Sequence, residues 1–211
     1  MKFLWIVLGA ALVQAQTTPD VTIDGVWLPR HVADLGAGVA VPFQPWARTQ
    51  FESSRAMKQN DLDLRCLPPG LPRINLMPRP LEIVQTPERI LFIYEGGAHV
   101  WRQVWIDGRS HPKDPNPDWL GDSIGHWEKN TLVVDSVGFN DRTWLDDAGH
   151  PHTVQLHVIE RYTRANPTKM NYEVTINDPG AYTQPWKASS ILELRPGQRL
   201  EEDICLDKAN K

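Results

Sequence analysis

Proline recurs so often along this chain that long helices are excluded. Eighteen of the 211 residues are proline. Each one fixes φ and removes a backbone donor, which confines it to turns, strand ends and first helical turns. Between the prolines run short stretches of β-branched and aromatic residues, closed by Pro87-Glu88, Gly96-Gly97, Asp107-Gly108, Lys129-Asn130 and Asn166-Pro167. Such runs, separated by turn residues, read as strands in sequential hairpins.

The strands fall at 21–27 (with a kink at Gly25), 81–86, 89–95, 99–106, 123–128, 131–139, 153–163, 170–177, 184–194 and 199–205. The stretch 29–43 is loop-like. Pro45-Trp46 opens a short helix at 45–58, whose apolar stripe is Ala47, Phe51 and Ala56 or Met57. Residues 60–80, with Cys66-Leu67-Pro68-Pro69-Gly70, form a proline-stiffened crossing segment without regular structure. The fold class is mainly β. An antiparallel meander forms a lipocalin-like barrel with one short N-terminal helix, because closure removes sheet edges and encloses a pocket. A two-sheet sandwich is the alternative. In domain terms, 16–80 packs as strand, helix and crossing segment on a barrel made by 81–211, the whole being one domain.

Residues 1–15 have the form of a secretory signal peptide: Lys2, an apolar run over 3–13, and small residues at Val13 and Ala15 before the cleavage point. The run is shorter than the ~20 residues of a membrane span. The mature protein is therefore expected in the periplasm or medium, with no stable membrane insertion. Loss of Lys2 takes the net charge from -4 to about -5. With no Lys/Arg stripe, that balance argues against nucleic acid as a partner. The two cysteines, Cys66 and Cys205, read as a disulfide in an oxidising compartment, worth ~4–5 kcal/mol by loop closure alone. Two buried free thiols are the alternative.

Chemistry concentrates at 144–161. His150, His152 and His157 lie within eight positions, with Asp146 and Asp147 before them and Glu160-Arg161 after. In one reading His150, His152 and His157 bind zinc or copper, with Asp146 or Asp147 as a further ligand. In a second they move protons while Arg161 or Arg102 holds an oxygen that gains charge. In a third they hydrogen-bond loop backbone around Pro151. Strand alternation places Val154, Leu156, Val158, Glu160 and Tyr162 on one face, with Gln155, His157, Ile159 and Arg161 on the other. It likewise groups His99, Trp101, Gln103 and Trp105 against Val100, Arg102, Val104 and Ile106. The Trp-bearing face is expected to be core or an aromatic wall for a flat ligand. His111, in the turn after Asp107-Gly108, and Trp144 join Trp101, Arg102 and Trp105 as candidate ligand contacts. The chain has no Gly-rich phosphate loop, Gly-x-Ser-x-Gly, His-Glu-x-x-His or Cys-x-x-Cys. Common nucleotide enzymes, serine hydrolases, zincins and thiol oxidoreductases become poor fits.

The segments Asp24-Gly25-Val26-Trp27, 66–73 (CLPPGLPR), 107–135, 138–162 and 178–186 (DPGAYTQPW) together resemble a widespread group of secreted bacterial proteins, abundant in soil lineages such as Acidobacteria. The resemblance spans nearly all of the mature chain and carries no activity with it. It implies that His150, His152, His157, Glu160 and Arg161 belong to a hallmark of that group. The 97–101 stretch, with His99, departs from the pattern. A likeness to calycin barrels is one of architecture. The resulting expectation is a barrel that takes a small organic molecule into a pocket lined by Trp and His, with acid/base chemistry of lyase, isomerase or hydrolase type. A non-catalytic carrier and a metal protein are the other two classes.

Overall fold

The computed structural model describes residues 21–97 and 100–205. The expected leader at 1–15 and His99 lie outside the described residues. Nine strands close into a barrel in chain order: β1 (Gly25–Pro29), β2 (Leu81–Gln85), β3 (Arg89–Tyr94), β4 (Trp101–Trp105), β5 (Asp122–Glu128), β6 (Thr131–Val137), β7 (His157–Asn166), β8 (Lys169–Asn177) and β9 (Trp186–Leu194). A closed barrel, not a sandwich, is thus the architecture. β1 is itself a stave of it: Trp27 pairs with Leu81 on one side and Leu194 on the other. The barrel therefore draws on the N-terminal part of the chain as well as on residues after 81. Gly25 sits at φ 124, a conformation open to glycine, and the ladder begins there rather than at residue 21. Residues 199–204 form no strand, which corrects the expectation at 199–205. With β1 and β9 paired, the sheet has no edge left for another strand.

Every neighbouring pair is antiparallel except β4 and β5, which run parallel and meet at the single pair Trp105–Ile124. Parallel neighbours need a crossover in place of a hairpin, and residues 106–121 supply it. The β4–β5 joint is accordingly the weakest seam in the wall.

Alternation along the strands fills the interior. Ile90, Phe92 and Tyr94 of β3, Leu132 and Val134 of β6, and Met170, Tyr172, Val174 and Ile176 of β8 are all buried. Each large apolar side chain so placed contributes ~1.5–3 kcal/mol by leaving water. Helix α1 (Pro45–Ala56) begins with proline at its first turn, where no donor is lost. It buries Ala47 and Ser54 and lays Phe51 on the His150 ring, 4.2 Å between centroids. The crossing segment is more ordered than its prolines suggest. It contains 3-10 turns at Lys58–Asn60, Leu62–Arg65 and Arg73–Leu76, and all four residues of the last are buried. Arg73 fixes that turn, with two bonds to Asp61 (2.8 and 2.7 Å) and one to Asp147 (2.7 Å). Cys66 and Cys205 form the disulfide, tying the chain's last described residue to this segment.

Candidate functional site

Three polar clusters occupy different parts of the molecule: the lumen, the β4–β5 seam with the adjoining outer wall, and the loop before β7.

Arg102 of β4 and Glu160 of β7 both point inward and lie within 3% of complete burial. The Glu160 Oε2 accepts from Arg102 Nη2 at 2.5 Å. Its Oε1 accepts from Asn75, Tyr162 and Tyr172 at 2.6, 2.9 and 2.9 Å. Tyr94 donates to Asn75 Oδ1 at 2.7 Å. Arg102 also donates to Ser123 and Ser136. Burial alone would lower the Arg102 pKa, but the Glu160 charge holds it above the ordinary value. Burial also pushes the phenols of Tyr162 and Tyr172 well up, with Glu160 adding to it. This network lies inside the barrel, beside the apolar core. Glu160 accepts four bonds at its two oxygens and is sealed from solvent. Arg161 faces the opposite way, to Glu128 at 2.7 Å. The sequence neighbours Glu160 and Arg161 thus serve opposite sides of the wall.

The same alternation turns Trp101 and Trp105 outward. Trp101 is 63% exposed, correcting the reading of this face as core. Arg89 and Arg109 sit over the Trp105 ring at 5.6 and 3.5 Å from its centroid. Where β4 and β5 part, a cavity of about 330 Å³ opens between them, lined by Trp101, Trp105 and Trp119 with Arg102, Asp122 and Ser123. Three of the five expected ligand contacts (Trp101, Arg102 and Trp105) meet here. Arg102 Nη1 is buried without a hydrogen bond of good geometry, and its guanidinium faces the Tyr94 phenol inside the barrel.

Asp122 carries the lining outward. Its Oδ1 lies 2.5 Å from His111 Nδ1. His111 Nε2 lies 3.1 Å from Asp135 Oδ1, and the same Asp135 oxygen lies 2.7 Å from His157 Nε2. His111, from the crossover, and His157, at the start of β7, are thereby joined through β5 and β6. These groups are 19–39% exposed. The hydrogen bond to Asp135 raises the pKa of His157, and the same bond lowers that of Asp135.

His150 and His152 go elsewhere. β7 begins at His157 rather than 153, because Asp178 ties down Thr153 through its N–H (2.5 Å) and hydroxyl (2.7 Å). His150 is packed among Phe43, Phe51 and Trp186, with Nδ1 2.7 Å from Asp146 Oδ2. His152 Nε2 is 2.8 Å from the Thr143 hydroxyl and Nδ1 is 3.2 Å from the Thr153 carbonyl. Burial pushes its pKa down. His152 and Trp144 line a second cavity of about 330 Å³ with Trp46, Arg142 and Thr143. The expected ligand set of His150, His152 and His157 is therefore not assembled. The group that could hold a metal is Asp34, Asp146 and His150, whose ligand atoms lie within 4.8 Å of one another. Its Asp146 carboxylate already accepts the backbone N–H groups of Leu35, Gly149 and His150 at 2.7, 3.0 and 3.2 Å. That is the chemistry of a loop clasp.

Asp122, Asp135, Trp119, Ser123 and Asn75 were not read from the sequence as site residues. Asp135 sits inside the run Leu132-Val133-Val134-Asp135, where a lone carboxylate on an outer face gives no signal. The signal for Asp122 is only its place after Gly121 at the mouth of a strand.

Comparison of the chain with protein-family models, with curated proteins and with solved structures finds no match.

Proposed function

We propose that this protein binds a small, flat organic molecule in the cavity at the β4–β5 seam, and that it does so in the periplasm or outside the cell. One observation carries the reading. Three tryptophans, with Asp122 beside them, line a cavity of about 330 Å³ at the one parallel joint of the barrel. That volume lies at the lower end of small-molecule sites, which combine apolar walls with a few fixed polar groups. Indole walls suit a planar ring. The second cavity has a weaker claim, because both nitrogens of His152 are engaged. The disulfide supports the location, as does the likeness to exported bacterial proteins. No helix among the described residues is long and apolar enough to cross a membrane.

Titration of intrinsic Trp fluorescence with a panel of flat aromatic ketones and carboxylates tests the reading. The expected result is saturable quenching by at least one member, weakened at least tenfold in Trp119→Leu. Absence of any saturable change across the panel, with no ligand-induced rise in Tm, would overturn it.

A further inference from the structure

We propose that the second cavity is a saccharide site, which takes one neutral sugar ring, free or at the end of a glycan. It is separate from the seam cavity, and its occupancy does not depend on a ligand there.

Its walls come from a helix face and a loop. Trp46 and Gln50 stand four residues apart on α1, so they share one side of the helix. Asp141, Arg142, Thr143 and Trp144 follow one another in the loop after β6. Together they line a cavity of about 330 Å³. Both walls are held in place. Trp46 is 47% exposed, yet its ring N–H donates to the Gly180 carbonyl at 2.7 Å. An exposed ring pinned at its polar edge presents a ready apolar face. Thr143 is buried and pairs with His152 at 2.8 Å. Gly70 approaches it so closely that a Cβ there would meet the Thr143 hydroxyl at 2.4 Å. The neighbouring Pro151 carbonyl accepts from the Tyr182 hydroxyl at 2.7 Å. The site is thus largely preformed, as small-molecule sites are.

The polar groups select the ligand. Among the described residues, the side chains of Gln50, Asp141 and Arg142 make no hydrogen bond or ion pair with protein. The Arg142 guanidinium lies instead over the Trp119 ring, 4.6 Å from its centroid. An anion in the cavity would meet the Asp141 charge, and a cation would meet that of Arg142. An apolar ligand would strip water from all three groups and return no hydrogen bond. A neutral polyol suits the whole set. Each hydroxyl both donates and accepts, so it gives to the carboxylate, takes from the guanidinium and does either with the amide. The C–H face of the ring then lies on indole. His152 has both nitrogens engaged and acts as wall, so binding without turnover is the expected behaviour.

The experiment uses the mature protein with the methyl glycosides of glucose, galactose, mannose and N-acetylglucosamine, and with the linear hexasaccharide of each. Saturation-transfer difference NMR reads binding. The expected result is saturable binding by at least one of them, with Kd of about 1 mM or tighter and with transfer strongest to the protons of one ring face. Affinity should fall at least tenfold in Trp46→Ala and several-fold in Gln50→Ala. It should stay within twofold in Trp101→Ala, which alters only the seam cavity. A hexasaccharide that binds more tightly than its methyl glycoside assigns a glycan end, and equal binding assigns the free sugar. Absence of saturable binding by every sugar overturns the proposal. Binding kept in Trp46→Ala and lost in Trp101→Ala also overturns it, because the sugar then sits at the seam. A tenfold preference for glucuronate or glucosamine over glucose overturns the neutral class. If Trp46→Ala fails to fold, Gln50→Ala and Asp141→Asn, both at exposed positions, decide the matter. The seam ligand is decided separately, by the aromatic panel and Trp119→Leu.

Discussion

The lumen and the outer wall of this barrel hold similar side chains and treat them in opposite ways. Inside, Glu160 and Arg102 are closed off from water, and the two Glu160 oxygens accept from four side chains. Outside, one strand-width away, His111, Asp122, Asp135 and His157 share fewer contacts and are partly open to water. The difference is set by alternation along β4 and β7. In low dielectric a charge must be completely paired, and the pair then becomes rigid. On the wall, water screens the same interactions. Closed and water-accessible polar groups therefore belong to opposite faces of the same strands.

The lumen half is broken most severely by Glu160→Ala. That change strands the Arg102 charge and frees the hydroxyls of Tyr162 and Tyr172. The expected loss is ~3–5 kcal/mol in urea unfolding, and a loss under ~1 kcal/mol would end the contrast. The double variant Arg102→Met/Glu160→Ala should recover part of the loss, because no buried charge is left alone.

Asp146→Ala tests whether the loop cluster belongs with the lumen or with the wall. It removes the carboxylate that accepts from three backbone N–H groups and the His150 imidazole, leaving Gly149 only the Asp146 carbonyl at 3.3 Å. The expected loss is ~2–3 kcal/mol. If the clasp is structural, neither EDTA nor added zinc moves the wild-type Tm by more than about 1 °C. A zinc-dependent rise of several degrees, absent in Asp146→Ala, would make Asp34, Asp146 and His150 a metal centre.

Trp101→Ala sharpens the comparison from outside. Its side chain is 63% exposed, so stability should change by less than ~0.5 kcal/mol. Ligand quenching should nonetheless weaken several-fold. A stability loss above ~2 kcal/mol would show that the outer wall is structural here too.

The local parts of this arrangement were legible in the sequence. The runs after Leu81, read with their turn residues, place β2, β3, β5, β6, β8 and β9 within two residues. Alternation sorted Val158, Glu160 and Tyr162 from His157 and Arg161, as burial confirms. The same pattern separated Arg102 from Trp101 and Trp105, yet hydrophobicity alone pointed the tryptophans inward. What reverses it is Glu160, 58 positions away, and a partner at that distance leaves no trace in local spacing. The three histidines failed as a cluster for a related reason. The Thr153–Asp178 clamp keeps residues 153–156 out of the β7 ladder, so His150 and His152 stay in the loop while His157 opens the strand. Asp135 became visible only when β6 paired with β7 and brought it to His157.

The smallest effect is the most discriminating. In the Asp135–His157 pair the folded carboxylate pKa is lowered and the folded imidazole pKa is raised. The Asp135 contribution is present above its ordinary 3.8 and lost as pH falls through the depressed value. The His157 contribution is present below its ordinary 6.5 and lost as pH rises through the elevated one. The two overlap between about pH 4 and 6.5. Both side chains are about one-third exposed, so screening holds the pair to ~0.5 kcal/mol. His157→Gln should thus lower stability by that amount near pH 5 and match wild type once the pH exceeds the raised value. His152 has the opposite sign. Its burial-depressed pKa weakens the fold as pH drops below 6.5, in wild type and variant alike, so the difference curve isolates the wall pair. A difference that persists undiminished at pH 9 would mean that His157 acts by packing, and the outer wall would then be as inert as the lumen.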